Sequence, residues 1–190
     1  MSTRVGEVLA QALRVLVGHR RAAYAAAALA TAVNTVPDLA RQVLVWEDPS
    51  RLHALAVDVV GVATAVLAQL WVTGALVDLP SAGPLRLGGA LVRGTRTGWR
   101  AVRAAPGTVV AGVAAGGAVS AVITLPASIG ALGAAHVLGP LGSPAVGAFA
   151  VAAVSDVVAS VVTLPFLALV LVLVGAGPVG PGAGRAPGSP

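Results

Sequence analysis

The chain has 190 residues, 57% of them hydrophobic and only 10% charged, with a mean hydropathy of +0.91 and a formal net charge of +5. A soluble domain carries about a quarter charged residues, so this composition points to a membrane; the isoelectric point near 11.5 points to anionic headgroups rather than nucleic acid, because the arginines flank apolar runs. Cysteine is absent, which excludes disulfides, thiol nucleophiles and thiolate metal sites.

The first predicted element is an amphipathic helix over residues 3–19, with Arg4, Glu7, Gln11 and Arg14 on its polar stripe. A membrane-crossing helix needs roughly 20 mostly apolar residues, and the first candidate covers about residues 22–44. It is the least apolar, being rich in Ala and interrupted by Asn34, Asp38 and Arg41. "RRAAYAAAALATAV" also fits a cleaved signal peptide with an Ala30-x-Ala32 site, although 21 preceding residues with helical periodicity are long for its basic lead. A second span covers about 55–79, interrupted by Asp58, Gln69 and Asp78. A second amphipathic helix is expected over 85–104, and further spans over about 108–137 and 146–174. The last, ending in "LPFLALVLVLV", is the clearest; a disordered Gly/Pro tail over 175–190 follows it.

The segments repeat. Shifting the chain by 89 aligns Arg4 with Arg93, Arg14 with Arg103, Gly18 with Gly107, and Thr35-Val36-Pro37 with Thr124-Leu125-Pro126, eleven identities across positions 4–37 without a gap. A shift of 98 places Asp58-Val59-Val60 on Asp156-Val157-Val158. The fold class read from the sequence is therefore all-α: a polytopic membrane protein of four transmembrane helices in two repeats, 1–79 and 80–174, each led by an amphipathic helix. Two spans per unit make the repeats parallel.

Charge sets the orientation. Residues 1–21 carry Arg4, Arg14, Arg20 and Arg21 against Glu7, a net of +3, and the connection 80–106 carries Arg86, Arg93, Arg96, Arg100 and Arg103 without an acid, +5. The loop 37–54 sums to −1, from Asp38, Glu47 and Asp48 against Arg41 and Arg51. The positive-inside rule then puts both termini on the cytoplasmic side of the inner membrane.

The five arginines of the central connection are candidate lipid-headgroup contacts. Arg93, Arg96, Arg100 and Arg103 follow a 3-4-3 spacing along one helical face and Arg86 extends it by seven, with Leu87, Leu91, Val102 and, near the edge, Trp99 opposite. The plainer reading is that they set topology and anchor the span; nucleic acid is disfavoured because no stacking aromatics are interleaved.

Asn34, Asp58 and Asp156 are the intramembrane polar candidates. "EDPS" at Glu47 and "GSPA" at Gly142 place an N-cap and a proline at the starts of the second and fourth spans. Counting from the cytoplasmic ends near Leu79 and Val174, Asp58 is 21 residues away and Asp156 18, near the outer boundary of the bilayer. Helix–helix hydrogen bonding or interfacial hydration is the plainer role, a proton- or ion-linked one the alternative. Gly112 and Gly116 form a small-xxx-small pair for helix packing. Pro37, Pro126 and Pro165 each follow a Thr-Val or Thr-Leu pair, a site for a kink. The letters "GAGPVG" at Gly175 lack the strand–turn–helix context of a nucleotide loop, His19, His53 and His136 lack ligand partners at metal spacing, and no nucleophile, base and orienting acid converge.

The repeated unit, "VGEVLAQALRVLVGHRRAAYAAAALATAVNTVP" and "RGTRTGWRAVRAAPGTVVAGVAAGGAVSAVITLP", resembles bacterial integral membrane proteins such as the membrane domain fused to glycerophosphodiester phosphodiesterases. The resemblance is a pattern of helices over about residues 4–175, carries no catalytic residue across, and implies an accessory or lipid-associated role. The expectation is a non-enzymatic structural or accessory protein without cofactor, whose partners are the bilayer, anionic lipids, and another membrane protein or a second copy of the chain. The alternative is a small transporter or lipid-handling protein with a polar site near Asn34, Asp58 and Asp156.

Overall fold

A computed structural model describes residues 2–46, 51–134 and 145–177, and these residues are helical without strands. In chain order the elements are α1 (Ser2–Gly18), α2 (Arg20–Trp46), α3 (Arg51–Ala75), a 3-10 turn (Leu79–Ser81), α4 (Ala90–Ala104), α5 (Pro106–Leu132) and α6 (Val146–Gly175). Only His19 separates α1 from α2, and hydrogen bonds bridge the gap: His19 N–H donates to Val15 O at 3.0 Å and Ala23 N–H to His19 O at 3.1 Å. A single residue, Ala105 at φ −152° and ψ 72°, likewise turns α4 into α5. Pro106 opens α5, where its missing N–H costs nothing, and the Ala105 carbonyl accepts from Thr108 and Val109 instead.

Three stretches are long and apolar enough to cross a membrane, as in a membrane protein: Val59–Ser81, Pro106–Leu132 and Val146–Gly175. The first expected span, over about 22–44, falls in α2, which has 27 helical residues but is not among them, because polar side chains and Ala dilute its hydrophobicity.

Three expected boundaries move. The helix expected over 85–104 begins only at Ala90, because Gly89 sits at φ +65° and residues 83–89 run irregularly; Arg86 is therefore not on the helix whose stripe it was expected to extend. Regular helix in the span expected over 55–79 stops at Ala75. The span expected over 108–137 ends at Leu132, where Gly133 takes φ +83° and its N–H bonds Ile129 O. The fourth span matches its expected bounds to one residue, and the tail beyond residue 177 lies outside the described residues.

Burial is concentrated at the end of the bundle where α1 and α4 lie. Ala168, Leu169 and Val170 of α6 are fully enclosed, facing Val72, Ala75 and Leu76 of α3, Ala12 and Leu16 of α1, and the alanine face of α2 (Ala23, Ala26, Ala27, Ala30). α6 touches every other helix and lies most extensively along α5, while α1 packs chiefly on α6 and α4 chiefly on α3. Towards the other end the helices shed their partners: Val59 and Val62 of α3, Val122 of α5 and Val146 of α6 are all exposed, which suits contact with lipid.

The Thr-x-Pro sequences share one local geometry. Thr35, Thr124 and Thr163 each donate their hydroxyl to the carbonyl four residues back, those of Thr31, Ser120 and Ala159, at 2.8, 3.0 and 2.8 Å. Hydroxyl back-bonding bends a helix, so each proline that follows two residues later falls where the helix is already eased.

Candidate functional site

The corner between α3 and α4 is built by two of the five candidate arginines. The Asp78 carbonyl accepts from Ser81 N–H, Ser81 Oγ and Gly83 N–H at 3.2, 2.9 and 2.9 Å, folding the chain back on itself. The Asp78 carboxylate pairs with Arg86 at 3.3 Å, and Arg86 N–H reaches back to Ala75 O at 3.2 Å. Arg93 then locks the turn with its whole fork: Nε donates to Gly74 O at 3.2 Å, Nη1 to Gly88 O at 2.6 Å, and Nη2 to Arg86 O. These three acceptors are carbonyls that the irregular chain leaves without regular partners, a task suited to a planar multi-donor group. Arg86 and Arg93, expected at lipid headgroups, thus have intramolecular partners.

Beyond the corner, α4 presents three faces at the 100° spacing of a helix. The first is small: Ala90, Gly94, Thr97, Gly98 and Ala101 are buried against α3 and α6. The helices meet there backbone to backbone, since a Cβ on Gly94 would overlap the Leu70 carbonyl oxygen and one on Gly74 the Ala90 carbonyl oxygen. Each glycine instead turns a Cα–H toward the facing carbonyl, a weak hydrogen bond typical of close helix crossings. On the other side of α4, a Cβ at Gly175 of α6 would come 2.8 Å from Thr97 O. The second face carries Leu91, Trp99 (58% exposed) and Val102, apolar and uncovered. The third carries Arg96, Arg100 and Arg103, all exposed. Among the described residues neither Arg96 nor Arg100 has a hydrogen-bond or ion-pair partner, and Arg103 stacks over the Trp99 ring at 4.4 Å, joining the cationic and apolar faces. A two-face reading of the sequence missed the small face, although Ala90, Gly94 and Gly98 at four-residue spacing announce it.

A partly open groove of about 420 Å³ adjoins this helix, between α2 and α3. Leu29, Val33 and Asn34 of α2 face Thr64 and Trp71 of α3 across it, and Leu91 of α4 closes one end. Its wall is overwhelmingly apolar. Asn34, a polar candidate from the sequence, is thus on this wall. Asp156 is not among its described lining residues and is exposed in the amino-terminal half of α6; the Asp58 side chain lies outside the described residues.

Gly112 is buried on α5 facing α6, where an added Cβ would come 3.0 Å from Val170 Cγ1, so it packs within the chain. Gly116 is also buried but has open space where its Cβ would be. Gln69, which the sequence offered only as an interruption of a span, ties helices together: Nε2 donates to Leu164 O of α6 at 3.3 Å, and lies 3.4 Å from Thr73 Oγ1, which itself donates to Gln69 O at 2.8 Å. Among the described residues no three His, Asp or Glu side chains gather as a metal site.

Comparison with protein-family models, with curated proteins and with solved structures finds no match to this chain.

Proposed function

We propose that the chain is a non-enzymatic integral membrane protein of the inner membrane, structural or accessory in role, that engages anionic lipid through α4. The observation that carries this reading is the division of α4 into a face fixed on the bundle, an exposed apolar face, and a face of three arginines of which two have no described partner. A helix so held can sink Leu91, Trp99 and Val102 below the headgroups while Arg96, Arg100 and Arg103 reach phosphate. Arg residues near an anionic surface contribute about 1 kcal/mol each, so the three together favour anionic over zwitterionic lipid by about a hundredfold.

In this reading α2 is a fourth span and the chain is two parallel repeats with both termini cytoplasmic. Two features support it. At 27 residues α2 is about 40 Å long, enough to cross, and its alanine face is covered by neighbours, so it needs less intrinsic hydrophobicity than a lipid-bathed helix. The leading helices also cross between the units, α1 packing chiefly on α6 and α4 chiefly on α3, although the α2–α6 contact has no comparable α5–α3 counterpart among the described residues.

Two experiments test this function. Single cysteines at Ser2, Ser50, Ser81, Ser143 and Ser189 are labelled with an impermeant maleimide before and after permeabilisation. Labelling of Ser50 and Ser143 from outside, with the other three protected, supports four spans; Ser2 and Ser81 on opposite sides would remove α2 from the membrane and end the repeat reading. Native mass spectrometry of the purified chain, offered phosphatidylglycerol or phosphatidylcholine, then counts retained lipid. The R96Q/R100Q/R103Q variant is expected to lose the phosphatidylglycerol preference and an R4Q/R14Q control to keep it. Equal retention of both lipids by the unaltered chain would overturn the lipid role.

A further inference from the structure

We propose that the groove between α2 and α3 holds one acyl chain of an anionic glycerophospholipid, whose phosphate is held by the arginine face of α4. This rests on the reading of α4 given above and adds a site with a bound lipid to what is otherwise contact with a surface.

Depth comes first. Leu29 and Asn34 lie about 13 and 21 Å along α2 from its start at Arg20, and Thr64 and Trp71 lie inside the apolar stretch Val59–Ser81. With α2 as a span, as proposed above, the groove lies within the hydrocarbon layer. At about 420 Å³ it has the size of a ligand cleft, and its apolar wall gives water little to bond, so a hydrocarbon chain is the occupant that costs least.

Continuity with charge comes second. Leu91 both closes the groove and belongs to the uncovered apolar face of α4 that Trp99 and Val102 continue. Trp99 carries Arg103 on its ring, and Arg96 and Arg100 are exposed on the adjoining face. An apolar slot leading along one helix to a set of cations matches a molecule with a long tail and an anionic head. A second copy of this chain fits worse. From Thr64 to Trp71 the groove runs only about 10 Å, two helical turns, and a symmetric copy would bring its own arginines toward these.

The test uses Trp71 as the reporter. Substituting W46F and W99F, the second keeping an apolar aromatic ring beneath Arg103, leaves Trp71, on the groove wall, as the single tryptophan of the full chain. In nanodiscs of phosphatidylcholine, acyl-brominated phosphatidylglycerol is expected to quench Trp71 as though enriched at least about fivefold over acyl-brominated phosphatidylcholine at equal mole fraction, the preference one arginine confers near an anionic surface. Adding R96Q/R100Q/R103Q is expected to reduce quenching to the phosphatidylcholine level. Filling the groove from either wall, with Val33→Phe on α2 or with Ala68→Leu on α3, where Ala68 also lines it, is expected to reduce quenching by both lipids. Equal quenching by the two lipids in the chain with intact arginines, or undiminished quenching in both filled variants, would overturn the proposal. If native mass spectrometry still shows an arginine-dependent phosphatidylglycerol preference while Trp71 is quenched equally, the groove site fails and the surface role stands; loss of both preferences removes both.

Discussion

Gly94→Ala is the sharpest probe of how α4 is held. The added methyl would overlap the Leu70 carbonyl oxygen, and a carbonyl within a helix cannot rotate aside. The added Cβ would stand 1.7 Å from that oxygen, and carbon and oxygen come no closer than about 3.3 Å, so α3 and α4 must part by at least about 1.6 Å. Parting them loosens contacts around Val72, Leu76, Leu79 and Ala90, none more than 2% exposed, and a gap of that size forfeits more than about half the dispersion well of each pair. Overpacking of this kind costs up to about 3 kcal/mol, while replacing a helical glycine with alanine returns up to about 1 kcal/mol. The net loss is about 2 kcal/mol, which lowers Tm by about 4–8 °C in a domain of this size. Gly117→Ala is the matched control: Gly117 is exposed on α5 with nothing within 4 Å of its Cβ position, so only the gain in helix propensity remains, raising Tm by up to about 4 °C. The assay is thermal unfolding of the purified chain in detergent, followed by circular dichroism. Equal Tm values for the two variants would refute the backbone-to-backbone crossing.

Arg93→Gln removes the fork that holds three carbonyls and is expected to cost about 2 kcal/mol, whereas Arg96→Gln, without a described partner, should stay within about 0.5 kcal/mol; denaturant unfolding of both variants ranks them, and equal losses would contradict the corner. Asp78→Asn breaks an exposed ion pair with Arg86 and should cost less than about 1 kcal/mol by the same assay, with the loss shrinking further in high salt. Gln69→Leu deletes an interhelical bond worth about 0.6 kcal/mol inside a membrane protein and is expected to change stability by no more than that; a loss above about 2 kcal/mol would mean the bond organises the α3–α6 contact. Thr31 Oγ1 is buried without a hydrogen-bond partner among the described residues. The near-isosteric Thr31→Val is therefore expected to be neutral or to raise stability by up to about 1 kcal/mol, and a clear loss of Tm would show that the hydroxyl has a partner.

What the sequence made legible was whatever depends on neighbours along the chain. The limits of α6 follow from its hydrophobic run and the arginine face of α4 from its 3-4-3 spacing, whereas the end expected for α5 at residue 137 passed over Gly133, where the helix stops. Less legible was what depends on chain folding back in space. Arg86 continues the stripe only if the helix already exists at residue 86, and the Gly88-Gly89 pair with Gly89 at positive φ removes it. Arg93 looks like its sisters until three carbonyls converge on it. The groove draws its wall from three helices far apart in sequence, and periodicity gives the face of each without the distance between them. The apolar content of α2 falls short of a span on its own, and its alanine face gains meaning only beside α3 and α6.

The place of α6 at the centre bears on the order in which the bundle is assembled. Synthesis delivers this chain from the amino end at about 5–20 residues per second, so the 30 residues of α6 follow the rest over roughly two to six seconds. Through that interval α1 lacks the helix it packs on most, the faces of α2 and α3 meant for Leu169 and Val170 are bare, and α5 has no companion along its length. The five described helices that precede it must therefore wait, screened by lipid, water or the insertion machinery, until α6 arrives and closes them together.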